Sequence, residues 1–387
     1  MKTGRSLRRF GICALYRTVQ VQSFLREHPL QPLQSTDIQD TSTRRRQATH
    51  PQGPRCKMPR ILVLGATGYV GHTTALTLVR SGQHTVYGVA RSAAKARQLA
   101  QDEIVPVICA DPVNEPAAYH DAIRTSRIDV VIDCAGANQD SQKLLSGLVA
   151  VGRERQRACE AAGLTKSPKL GFVYTSGAWV HGSSRTPTPF STDLDPVGPP
   201  LAPLAPPRLV AWRPAVEQAV LAAADVLDVA IVRPALVYGR SSGIWQPFFA
   251  PVVQAVREQG RRAETVRVPL EADARPELVH VDDLADGLRC AVEKLPLLAG
   301  TGVYPVFDLV GSTVSMREVF DGFARVVGFA GRIELVGAGD DVFAQAMSTS
   351  GSSSSARAKQ LLGWEPKRTG FMEGMDVYAT AILAAAQ

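Results

Sequence analysis

From residue 59 onward, short apolar runs alternate with stretches whose apolar residues recur every three to four positions. The runs at 60–65, 85–90, 105–109, 129–134, 170–175 and 228–233 have strand length. Between them, the periodic stretches at 69–81, 114–124, 139–163 and 209–226 read as helices. Alternation at this spacing predicts βαβ units, hence an α/β fold with a Rossmann-type doubly wound parallel sheet. Beyond Tyr238 the pattern turns irregular, with helices expected near 244–259, 282–293, 315–327 and 371–386. Short strands are expected there near 265–269, 277–281 and 304–309, and together these predict a smaller C-terminal α/β lobe. Eight prolines between 182 and 207 exclude regular structure and predict an irregular loop beside the ligand crevice. The serine-rich stretch 348–357 predicts a flexible surface link ending in a helix cap.

Charge divides the chain in two. Residues 1–57 hold 11 Lys and Arg against 3 acids, a net of +8, whereas the whole chain is only +7. The body is therefore close to neutral at −1, and a nucleic-acid partner has no electrostatic footprint on it. Residues 1–57 read as a disordered basic extension, with no acid before Glu27. Three origins fit it: a mitochondrial presequence, sequence upstream of a start at Met58, or a solvated tail. The expected location is cytoplasmic, or mitochondrial if the presequence is real. No run of 18 apolar, uncharged residues occurs, which speaks against a membrane span. Six scattered cysteines without a CxxC pair argue for reduced thiols and against structural zinc, and no metal site is expected.

The chemistry starts at "RILVLGATGYVG", 60–71. A strand runs into Gly65, Gly68 and Gly71, and a helix follows. The first glycine permits a tight turn, the second lets a pyrophosphate approach the backbone, and the third lets helix and strand pack closely. The helix N-terminus offers amides to the phosphates, so Gly65, Thr67, Gly68, Tyr69, Val70 and Gly71 form a predicted dinucleotide cradle. The strand 85–90 ends in Ala90 and Arg91 rather than in an acid. A guanidinium there suits a 2′-phosphate, so NADP is preferred over NAD. Asp111 is placed to meet the adenine amine, and Ala135 and Gly136 are small enough for the ribose to lie against the backbone. Asp282 and Asp283 are expected to cap the helix that follows them.

These motifs resemble the extended short-chain dehydrogenase/reductase superfamily, in its epimerase/dehydratase-like group. The likeness covers nearly all of 59–386 and rests also on "GFVYTSGAWVHG" (171–182), "VRPALVYG" (232–239), "ELVHVDDLADGL" (277–288) and "AKQLLGWEP" (358–366). It implies a single NAD(P)-binding domain over 58–387, with the substrate lobe built mainly from 182–207 and 240–387. It also implies that the neighbourhood of Pro234 touches the nicotinamide carboxamide. The group's chemistry uses a serine or threonine with a Tyr-x-x-x-Lys pair, the phenol exchanging a proton while hydride moves.

The chain departs from that pattern. No tyrosine lies between Tyr174 and Tyr238, and no lysine between Lys169 and Lys294. Aligning Glu217 with the group's acid puts Arg213 at the lysine position and Leu209 at the tyrosine position; anchoring on Trp212 instead leaves Val216 where lysine belongs. The serine position falls on Gly177, beside Ser176, and His181 stands where a tyrosine is usual. The acid–base candidates are therefore Tyr174, Ser176, His181 and Tyr238, with Arg213 as a cation at the nicotinamide ribose. Two functions fit. One is an NADP-dependent oxidoreductase or epimerase acting on a small carbonyl, hydroxyl or nucleotide-sugar-like substrate. The other is a non-catalytic NADP(H) sensor.

Overall fold

The computed structural model describes residues 58–135, 140–165, 168–184, 204–241, 243–259 and 265–385. Residues 1–57 and most of the proline-rich loop lie outside them, as does Gly136. The main sheet has seven strands: β1 (Arg60–Leu64), β2 (Thr85–Ala90), β3 (Val105–Ile108), β4 (Val130–Asp133), β5 (Leu170–Thr175), β6 (Leu227–Pro234) and β10 (Val306–Leu309). Their order is β3-β2-β1-β4-β5-β6-β10, with every pair parallel. Chain direction across the sheet reverses at β1, so the crevice opens where β1 and β4 lie side by side.

The continuous apolar runs follow from burial on both faces. Along β1, Ile61 and Val63 point into one core with Ala75 and Leu78 of α1 (Tyr69–Arg80) and Leu284 and Leu288 of α7 (Val281–Leu298). Leu62 and Leu64 point into the opposite core with Leu144 and Leu148 of α4 (Ser141–Ala161) and Val216 and Val220 of α5 (Arg213–Ala222). Helices α2 (Ala93–Gln101) and α3 (Ala117–Thr125) complete the flanking layers.

The C-terminal lobe is built on two small sheets. One joins β7 (Leu236–Tyr238), β9 (Glu277–His280) and β11 (Ser312–Thr313); the other pairs β8 (Thr265–Val268) with β12 (Arg332–Leu335). Helices α6 (Gln246–Gln259), α8 (Met316–Val327), α9 (Val342–Met347) and α10 (Met375–Ala385) surround an aromatic core, in which Phe249 and Phe323 stack with centroids 3.9 Å apart. Among the described residues no helix is long and apolar enough to cross a membrane.

Four sequence expectations change. The strand at 304–309 does not join the lobe; as β10 it pairs with β6 and closes the main sheet. The helix expected over 209–226 is only Arg213–Ala222, flanked by single 3₁₀ turns. Pro214 sets that start, because a residue without an N–H is tolerated only in the first turn. The 348–357 stretch is no loose link. Its Ser353 amide and hydroxyl bond Glu277, Ser355 Oγ receives the Val310 amide at 2.8 Å, and Ser350 Oγ receives the Arg275 amide at 2.9 Å. Lastly, α7 is capped by His280, whose Nδ1 accepts the Asp282 amide at 3.1 Å. Asp283 instead accepts the amides of Lys367 and Arg368 at 3.0 and 2.8 Å, and Asp282 pairs with Arg240 at 2.8 Å.

Candidate functional site

The glycine turn forms as its spacing requires. Gly65 takes φ +78°, a left-handed conformation that a side chain would oppose, and its carbonyl receives the Gly68 amide at 2.9 Å. A Cβ on Gly71 would lie 2.2 Å from that same carbonyl oxygen, so α1 approaches β1 as closely as a backbone can. Gly68 stands at the N-cap with no side-chain cap, and the first turn carries no acid. The amides there keep no intrahelical acceptor and face the crevice with the positive end of the helix dipole. This is a fitting seat for a pyrophosphate.

Two of the cavities that touch the turn share Cys134 in their linings. The outer, of about 310 Å³, is lined by Gly65, Thr67, Gly68, Arg91, Ala135 and Ser141. Arg91 is exposed at its mouth. Asp111 is not in the lining, though its neighbours Pro112 and Val113 are. Its carboxylate accepts the Val113 and Asn114 amides at 3.1 and 3.0 Å and the Asn114 side chain at 2.8 Å. The bond from Asn114 holds it below the usual carboxylate range.

The inner cavity, of about 270 Å³, is lined by Tyr69, Val70, Cys134, Thr175, Ser176, Arg213 and Pro234, with apolar walls from Trp179, Leu236 and Ile244. Tyr69 donates to the Gly239 carbonyl at 2.6 Å. Burial pushes the Cys134 thiol up to about 12, so it stays protonated at neutral pH. Arg213 projects in from the start of α5. A Cβ on Gly177 would meet its Nη1 at 2.2 Å, so the guanidinium fills the space a serine side chain would need. The arginine at 213 and the glycine at 177 are thus sterically linked.

Sequence reasoning missed a buried polar chain behind this cavity. Ser176 donates to Glu217. Glu217 in turn is held by Arg233, whose Nε lies 3.1 and 3.2 Å from its two oxygens and whose Nη2 lies 2.7 Å away. Arg233 also faces Asp308 at 3.8 Å, and Asp308 holds His181 Nε2 at 2.9 and 3.1 Å. Glu217, Arg233 and Asp308 are wholly buried. Ser176 therefore reaches the cavity as one end of the chain. His181 lies at the far end and lines a small separate recess with Glu277 and Ser353. Of the remaining candidates, Tyr174 is fully buried under the sheet edge, and Tyr238 donates to the Arg368 carbonyl at 2.5 Å. Asp308 and Arg233, each a charge inside an apolar strand, were the signal of this chain in the sequence.

Beneath the cradle, Asp133 Oδ1 accepts the Ala135 amide at 2.8 Å while Oδ2 has no partner. Burial raises this carboxyl to about 6. A raised acid contributes stability below its unfolded value near 3.8 and loses it as pH climbs through 6. Asp133→Asn should thus gain thermal stability over the parent at pH 8 and show almost none of that gain at pH 4. A gap in melting temperature independent of pH would contradict this assignment.

A doubly wound sheet with an uncapped helix N-terminus at its switch point defines a dinucleotide-binding protein. The family model for the NAD dependent epimerase/dehydratase family matches residues 61–304, and the chain belongs to that family. Solved structures of similar fold include dTDP-glucose 4,6-dehydratase from Bacillus anthracis in complex with NAD. That match has a TM-score of 0.60 and 16% identity, covering 84% of this chain and 97% of that one. UDP-glucose 4-epimerase from Thermus thermophilus, complexed with NAD, matches with a TM-score of 0.59 and 17% identity over 84% and 99% of the two chains. UDP-glucuronic acid 4-epimerase from Bacillus cereus, in complex with NAD, matches with a TM-score of 0.57 and 16% identity over 85% and 100%. A comparison with curated protein sequences found no match.

Proposed function

We propose that the chain binds NADP in preference to NAD and uses it on a small carbonyl or hydroxyl substrate, as an oxidoreductase or epimerase without the Tyr-Lys pair. The observation that carries the cofactor choice is Arg91, which lines the outer cavity beside Gly65 and Thr67 while Ala90 and Ser92 on either side bring no carboxylate. A ribose 2′-phosphate at that mouth gains a charge-assisted pair, whereas a 2′-hydroxyl finds no acid to accept its proton. Structures of similar fold hold NAD and act on nucleotide sugars, which supports a nicotinamide dinucleotide and leaves the 2′ group to the residues of this chain.

When bound, the nicotinamide supplies the carbon that accepts or gives hydride. The inner cavity brings two polar groups to the same place. Arg213 cannot donate a proton at neutral pH, but its guanidinium steadies an oxyanion. Ser176 is polarised by Glu217, and in the oxidative direction its oxygen takes the substrate hydroxyl proton as its own passes to the carboxylate. Pro234 and Trp179 wall the cavity from water. The sensor reading draws support from a different fact: Ser176 and His181 are both engaged inside the buried chain.

Fluorescence titration of the full chain with NADPH and NADH tests the cofactor choice. Arg91→Ala should weaken NADPH by about 2 kcal/mol and NADH hardly at all. Equal weakening of both would reject it. Tight NADPH binding without consumption across ketone, aldehyde and nucleotide-sugar panels would favour the sensor.

A further inference from the structure

Arg213 carries a charge that no described residue answers. It makes no ion pair or hydrogen bond among the described residues, and its Nε is buried without an acceptor. Its guanidinium carbon lies 5.3 Å from the centroid of the Trp212 ring. The nearest carboxylate in charge terms, Glu217, is already held by Arg233 and Ser176. Burial accordingly lowers the pKa of Arg213. A guanidinium left unpaired in a low-dielectric wall is costly unless something else balances it.

Two further observations say that the balance comes from the cavity. A Cβ on Gly177 would crowd Nη1, so the glycine leaves the guanidinium its present place in this space. The lining around it is mostly apolar, from Val70, Ala178, Trp179, Leu236 and Ile244, and among the described residues it supplies no acid. The dinucleotide's pyrophosphate belongs at the uncapped start of α1, and a nicotinamide ribose offers only neutral hydroxyls. Its binding would therefore leave Arg213 uncompensated.

We infer that the substrate or effector of this cavity is a carboxylate with a compact apolar body, held by Arg213. The planar guanidinium fork matches the two oxygens of a carboxylate, and the apolar walls take the remainder. This rests on the reading of the inner cavity as the nicotinamide end, and deepens it by naming the substrate class.

Calorimetric titration of the full chain, alone and saturated with NADP, with benzoate, benzamide and inorganic phosphate tests the inference. Benzoate and its neutral isostere differ chiefly in charge, and benzoate should bind at least about tenfold tighter. Arg213→Met and Gly177→Ser should each bring that ratio to near one, the serine by displacing Nη1. Arg213→Lys should retain part of it. Thermal melts of all three variants report whether they fold. Equal binding of benzoate and benzamide, no binding of benzoate, or a ratio that survives Arg213→Met in folded protein would each overturn the inference. Tighter binding of phosphate than of benzoate would overturn its carboxylate assignment. If benzoate is preferred through Arg213 while NADPH fails to bind, the anion site stands and the cofactor reading falls.

Discussion

Replacing Glu217 with alanine should destabilise the fold by about 3–5 kcal/mol in urea denaturation. Glu217 and Arg233 are both wholly buried, one on α5 and the other on β6. Removing the carboxylate leaves Arg233 with Asp308 at 3.8 Å but without its bidentate partner, and strips Ser176 of its acceptor. The loss is mostly the cost of an ill-matched buried cation, so removing both charges should cost less than removing one. Glu217→Met with Arg233→Leu should recover more than half of the single-mutant deficit. A loss below about 1 kcal/mol for Glu217→Ala would contradict the reading of this pair as a matched buried unit.

Gly71→Ala should remove dinucleotide binding almost completely and lower stability by about 3 kcal/mol. The new methyl would lie 2.2 Å from the Gly65 oxygen and 2.6 Å from its carbonyl carbon, both backbone atoms that cannot rotate away. Either α1 lifts from β1 or the turn opens, and each outcome carries the first-turn amides off the pyrophosphate position. Gly68→Ala is the control, since its Cβ would stand 3.3 Å from the same oxygen and needs only a small adjustment. It should fold normally and bind the dinucleotide more weakly than the parent but better than Gly71→Ala. If Gly71→Ala bound NADPH like the parent, close helix–strand packing would not be what shapes the cradle.

The sequence made legible those parts of the molecule that depend on neighbours along the chain. The glycine turn, the strands before and after it and the burial of β1 on both faces follow from local pattern. The start of α5 was readable too, because Pro214 bars an earlier helix, but the apolar periodicity over 209–226 masked it. The chain from Ser176 to His181 was not readable. It joins residues 41 and 127 positions apart, and a charge inside an apolar strand, as at Asp308, does not say which distant residue answers it. His181 reads as an acid–base candidate from its position, and its bond to Asp308 within a buried chain has no local signal. The serine stretch misled in the opposite sense. Small polar residues without periodicity suggest a loose link, whereas Glu277, Val310 and Arg275 supply it with partners from distant strands and loops.

Arg213 and Gly177 meet at the wall of the inner cavity. A side chain at 177 would meet the tip of Arg213, so a serine there would push the guanidinium from its present place. Ser176, backed by Glu217, is the cavity's one described hydroxyl tied to a buried carboxylate.

The central claim is that one dinucleotide spans both cavities across the glycine turn. A crystal structure of the full chain with NADP bound tests it most directly. The pyrophosphate should lie on the amides after Gly68, the 2′-phosphate against Arg91, and the nicotinamide between Pro234 and Arg213. A 2′-phosphate turned away from Arg91, or a nicotinamide outside the Arg213 cavity, would contradict it.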